Sequence, residues 1–196
     1  METIGRVISI DPGMVNVGLA VLDGDWKIRE LRHSELAHGK TLTAAHFAHR
    51  TQWVGILADE IQWWAIRYVY PHILLAPEDG VRTLVIVEEN DLKLHQDWAG
   101  IVAGILTGLP GVTVMTVLPM EVTKWMHRMG LPGRADRAEK KRFSIEFVRG
   151  LPGAEQVESF DDHSCDACMN AMYVRERFFS GKKTTSPHKS VLFHQN

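Results

Sequence analysis

The stretch that most constrains the fold is VISIDPGMVNVGLAVLD, from Val7 to Asp23. Two apolar runs, Val7-Ile8-Ser9-Ile10 and Val17-Gly18-Leu19-Ala20-Val21-Leu22, flank a short segment holding Asp11, Pro12, Gly13 and Asn16. Short Val/Ile/Leu runs bounded by Pro, Gly and Asn read as the two strands of a hairpin. Asp11 stands apart in this pattern. A carboxylate at the end of a buried strand costs free energy unless something pairs with it, and such charges are kept where they bind a cation or take part in chemistry. The alternative is that Asp11 only caps the turn through its own backbone, as Asp before Pro and Gly often does.

A second anomaly of the same kind follows. Thr83 to Val87 is an uninterrupted apolar run that leads straight into Glu88, Glu89 and Asn90. Such a run suits a strand covered on both faces, near the middle of a sheet. In open α/β sheets the carboxyl ends of the strands are where sites are built. Around these two strands the pattern predicts a third strand over Trp26 to Arg32, a helix within Thr41 to Tyr70, a helix over Leu94 to Leu109 and a fifth strand over Val112 to Leu118. Pro119 then opens another helix. The helical reading of Thr41 to Tyr70 rests on Trp53, Ile56, Leu57, Ile61 and Trp64, in steps of three and four.

The last third carries charge. Between Glu121 and Gly150 eight cationic side chains (Lys124, Arg128, Arg134, Arg137, Lys140, Lys141, Arg142 and Arg149) face four acidic ones, although the whole chain has a formal charge of −2. A basic segment within an acidic chain fits a local anionic partner with an acidic site elsewhere. Next comes Phe160-Asp161-Asp162-His163-Ser164-Cys165-Asp166, leading into a helix over Ala167 to Phe179. Asp162 and His163 lie four and three residues before Asp166, so each shares a helical face with it. One of these aspartates can serve as an N-cap, but a cap needs only one.

Composition limits the rest. A chain of 196 residues with 45% hydrophobic content fills one well-packed domain. We expect residues 1–179 to form it, with 180–196 as a polar, mobile tail within reach of nucleic acid. No apolar run approaches the ~20 residues of a membrane span. The first strand begins close to Met1, so a cytoplasmic location is expected, in a host cell if the source is viral. Cys165 and Cys168 are the only cysteines; with no second pair to complete a zinc site they are expected to be buried, inert thiols.

The order of strands, helices and acids is that of a ribonuclease H-like fold: a mixed five-stranded sheet, with a three-strand antiparallel meander plus parallel strands, flanked by helices. IDPGMVNVGLAVLD resembles the opening motif of the RuvC-type Holliday junction resolvases, and VIVEEN resembles their second, a strand ending in Glu. VTKWMHRMGLPGRADRAEKK is similar to their lysine–glycine-rich–lysine segment. HSCDACMNA resembles their last motif, in which Asp opens an Ala-rich helix. The four agree in order over roughly residues 4 to 175.

The resemblance implies a homodimeric endonuclease that cuts four-way DNA junctions with symmetric nicks, using Mg²⁺ or Mn²⁺, two ions per site. It implies a metal site of Asp11, Glu88, His163 and Asp166, with Asp162 as the alternative to His163. Lys124 and either Lys140 or Lys141 would contact the scissile phosphate. Arg128, Arg134, Arg137 and Arg142 complete the expected DNA-binding segment. An aspartate is commoner in the family where His163 stands. Two rivals remain: a relative acting on other branched DNA, RNA or RNA–DNA hybrids, and a binder that no longer cuts. The actin-like ATPases also open on a strand, Asp and Gly, but need a duplicated fold that this chain does not contain.

Overall fold

A computed structural model describes residues 3–13, 15–36, 50–74, 81–89 and 93–180. Strands β1 (Thr3–Pro12), β2 (Asn16–Asp23) and β3 (Ile28–Glu35) are followed by helices α1 (Arg50–Tyr68) and α2 (Tyr70–Leu74). Then come β4 (Val81–Glu88), α3 (Lys93–Leu106), β5 (Val112–Val117), α4 (Pro119–Arg128), α5 (Arg137–Arg149) and α6 (Asp162–Val174).

The sheet order is β3-β2-β1-β4-β5. β1 pairs antiparallel with β2 and parallel with β4; β2–β3 is antiparallel and β4–β5 parallel. This is the mixed five-stranded sheet that the sequence predicts, with the fourth strand beside the first.

Both faces of the sheet are covered, which explains the unbroken apolar runs of β2 and β4. Ile8, Ile10, Leu19, Val85 and Val87 pack with Ile61 and Trp64 of α1 and Trp98 and Val102 of α3. Val7, Ala20, Leu22, Leu84 and Ile86 pack on the other face, against Val122 and Trp125 of α4, Val148 of α5 and Cys165 to Val174 of α6. Successive side chains alternate faces along a strand. Asp11 therefore shares the face of Val7, and Glu88 that of Leu84 and Ile86. Both carboxylates lie under α6.

Several boundaries differ from those expected. Trp26 is not in a strand: it sits in a turn at φ 64°, where Asp23 accepts from the backbone of Asp25 and Lys27, and β3 starts only at Ile28. β3 instead continues to Glu35, a polar edge strand without an apolar run to mark its end. The helix after β4 is Lys93–Leu106 rather than Leu94 to Leu109. The last helix begins at Asp162 because Asp161 caps it, and after Val174 it widens into a π turn over Arg175–Phe179. Residues 41–49 of the expected Thr41 to Tyr70 helix lie outside the described residues, as does the expected tail beyond Ser180. Among the described residues no helix is long and apolar enough to cross a membrane.

Candidate functional site

The register of β1 on β4 pairs Ile10 with Val87, which makes Asp11 and Glu88 the next residues of two adjacent parallel strands. α6 crosses this strand end closely because position 18 is glycine. A Cβ there would lie 2.0 Å from the His163 carbonyl oxygen. The approach brings the first turns of α6, with Asp162, His163 and Asp166, up to the two strand carboxylates.

The start of α6 is fixed by Asp161, whose side chain accepts from the Ser164 amide at 3.0 Å. α5 is fixed by a capping box in which Asp136 and Glu139 each accept from the other's backbone amide at 2.8 Å. Two of the four acidic residues of the basic segment are thus used in its cap.

These elements enclose a cavity of ≈ 510 Å³ whose walls include Asp11, Glu88, Asp162, His163 and Asp166 together with Arg137, Lys140 and Lys141. Lys141 forms an ion pair with Asp162. His163 Nδ1 lies 3.4 Å from Asp11 Oδ2, and its ring stacks on His33 of β3 with centroids 5.5 Å apart. Lys124 lies outside this wall, exposed and paired with Glu121 at 2.8 Å. Arg128, Arg134 and Arg142 are also outside the lining.

Three contacting residues escaped the sequence reading. Asn170 donates to Glu88 Oε2 at 3.0 Å, and the Ser144 hydroxyl donates to Asp166 Oδ1 at 2.8 Å. His33 joins Asn16 Oδ1 at 3.1 Å while stacking on His163. The only sequence signal for Asn170 is its spacing, four residues after Asp166 on an otherwise apolar helix.

The electrostatics are those of crowded acids. Burial and then the Asp11 charge push Glu88 up to about 8, against the Asn170 hydrogen bond. Burial and Asp11 likewise push Asp166 up to about 6, opposed by Ser144, His163 and Lys141. His163 is raised above its ordinary value, chiefly by its hydrogen bond to Asp11. Like charges sharing a buried site hold protons unless a cation relieves them. The thiols are buried and free; burial pushes Cys165 up to about 12 and raises Cys168 as well, which leaves neither as a nucleophile.

Carboxylate oxygens with one imidazole nitrogen are the donor chemistry of Mg²⁺ or Mn²⁺. Ser144 and Asn170 each occupy one oxygen of their acid and leave the other. Among the described residues, however, no three acidic, His or Cys side chains already stand as a closed metal cage. The donor set fits a hard divalent cation by its chemistry and charge.

Solved structures similar to the chain include T. thermophilus RuvC in complex with Holliday junction substrate, at 20% identity over 86% of this chain and 91% of that one, with a TM-score of 0.49. A second, of Thermus thermophilus RuvC, has 21% identity, the same coverages and a TM-score of 0.48. No protein-family model and no curated protein matches the chain. At this level of likeness the function has to be carried by the chain's own residues.

Proposed function

We propose that the protein is a metal-dependent endonuclease that resolves four-way DNA junctions by symmetric nicking. The observation that carries the reading is the meeting of Asp11, Glu88 and Asp166, from two strands and a late helix, in one cavity that Arg137, Lys140 and Lys141 also line. Acids that repel one another favour a multivalent cation, and Lys and Arg side chains lining the same cavity favour a phosphate backbone. The order of the four RuvC-like motifs supports a junction as the substrate.

Asp11, Glu88, Asp166 and His163 would hold the ions, with Asp162 engaged by Lys141 at the rim. Divalent ions bound there supply Lewis-acid activation of water and stabilise charge on the leaving 3′ oxygen. The chain's own residues then have separate tasks. Lys140 or Lys141, the latter on release from Asp162, meets the scissile phosphate as a point charge, while the other lysine and Arg137, one turn earlier on α5, hold neighbouring phosphates. His163 must be neutral to ligate, so its bond to Asp11 sets both its orientation and its proton. No side-chain nucleophile is needed. Two symmetric cuts require two sites, and a homodimer provides them.

The test is cleavage of a labelled four-way DNA junction with Mg²⁺ or Mn²⁺, beside linear duplex and an RNA–DNA hybrid. Paired nicks at the junction that Asp11→Asn abolishes, while junction binding persists, are the expected result. Cutting of the hybrid alone would overturn the junction reading, and loss of folding in Asp11→Asn would make that residue structural.

A further inference from the structure

Two neutral side chains in contact with the acids of the cavity are buried, and both spend their donors on those acids. Ser144 of α5 is fully buried and donates to Asp166 at 2.8 Å. Asn170 of α6 is 1% exposed and donates to Glu88 at 3.0 Å. A buried hydroxyl or amide costs free energy unless it is hydrogen-bonded, and an apolar residue at either position would avoid that cost. The surroundings favour apolar residues: Ala167, Cys168, Met169 and Ala171 fill the rest of this part of α6.

The two bonds also connect separate elements. Asn170 ties α6 to the end of β4, and Ser144 ties α5 to α6. Ser144 lies one turn beyond Lys140, so the helix that presents the cations is pinned to the helix that presents Asp166.

Building on the nuclease reading, we propose that Ser144 and Asn170 are positioning residues that fix which oxygen of Asp166 and of Glu88 is offered to a divalent cation. A donor on one carboxylate oxygen restrains rotation of the group and leaves the second oxygen in a set direction. Groups that orient metal-binding side chains in this way matter nearly as much as the ligands themselves. A neutral donor does so without adding a further negative charge to a site that already holds three acids. Because the donors come from two helices, the acids and the cations of α5 keep one spacing.

The test uses the full chain with Ser144→Ala and Asn170→Ala. Mn²⁺ affinity is measured by calorimetry on DNA-free protein, junction affinity in EDTA, and cleavage as separate kcat and KM. Each variant is expected to lose about 10- to 100-fold in Mn²⁺ affinity or in kcat, with KM, junction affinity and the folded spectrum unchanged. Folded variants whose Mn²⁺ affinity and kcat match the wild type would overturn the proposal. Ser144→Ala keeps a good helix former on α5, so it decides the matter if Asn170→Ala does not fold. A wild type that binds no Mn²⁺ and cuts no DNA overturns the nuclease reading first, and this inference with it.

Discussion

Replacing Gly18 by alanine tests how α6 reaches the sheet. The added Cβ would lie 2.0 Å from the His163 carbonyl oxygen, 2.3 Å from its carbon and 2.9 Å from the Ser164 nitrogen. All three are backbone atoms, so no rotamer change relieves the clash. Carbon contacts become comfortable at ~3.5 Å, so the first turn of α6 must retreat by roughly 1.5 Å. That retreat loosens Ser164 and Cys165, both fully buried. Overpacking of this kind costs about 1–3 kcal/mol. At ~2–4 °C per kcal/mol for a chain of this size, the Tm should fall by about 2–12 °C. Cleavage should fall further, by about 100-fold, because a displacement of ~1 Å at a reacting centre costs that much. Differential scanning calorimetry and junction cleavage read the two effects. Gly104→Ala on α3 is the control: its Cβ would meet nothing within 4 Å, and it should stabilise the helix by about 0.5–1 kcal/mol. A Gly18→Ala protein as stable and active as the wild type would refute this placement of α6.

Other outcomes follow from the same geometry. Glu88 and Asp166 have folded values raised above their ordinary ones, to about 8 and about 6. The folded state therefore holds protons that the unfolded chain has released, and stability in EDTA should fall as pH rises from about 4.5 to about 8. Thermal melts across that range should show a shallower fall in Glu88→Gln, and an equal slope would show that Glu88 is not the group responsible. The bond to Asp11 raises His163 in the metal-free site, and a cation competes with that proton, so cleavage should decline on acidification at a pH that falls as the Mn²⁺ concentration rises. His163→Asp should move that limb to lower pH, and an unmoved pH–rate profile would exclude His163 from the site. Replacing both Lys140 and Lys141 by alanine should make the plot of log affinity against log salt shallower by about 2, one ~0.9 step per lost phosphate contact; an unchanged slope would remove both from the DNA interface. Trp125 is buried edge-on to Phe147 and Tyr173 and donates to Glu176. Trp125→Ala should cost about 3–5 kcal/mol in urea unfolding, and a small loss would contradict its place in the core.

The sheet was legible because its central strands are buried on both faces. Covered strands must be apolar along their length, so the runs ending at Asp11 and Glu88 showed both the strands and the odd acids at their ends. β3 was read less well. Edge strands mix polar and apolar residues, and Asp23 holds a wider turn that displaces Trp26 from the strand. The early start of α6 was hidden by its own acids, since Asp161, Asp162 and Asp166 give the same local pattern whether they cap a helix or line a cavity. Ser144, Asn170 and His33 could not have been picked out from sequence. A single polar residue on an apolar face has no period, and only the fold reveals which acid or ring it meets. Which cations line the cavity was hidden for a related reason: a run of Lys and Arg on helices points in several directions, and among the described cationic residues of that segment Arg137, Lys140 and Lys141 line it.

His163 and Asp11 meet across 152 residues of chain. During synthesis β1, β2 and β4 can pair long before Asp162–Val174 exists, and at that stage two acids share an open sheet face with nothing to complete them. The proposed site is therefore the last part of the fold that can be completed, since it needs α6 to dock over Gly18. A chain ending before that helix would lack His163 and Asp166 and would leave the face of Val7, Ala20 and Ile86 without the helix that packs on it.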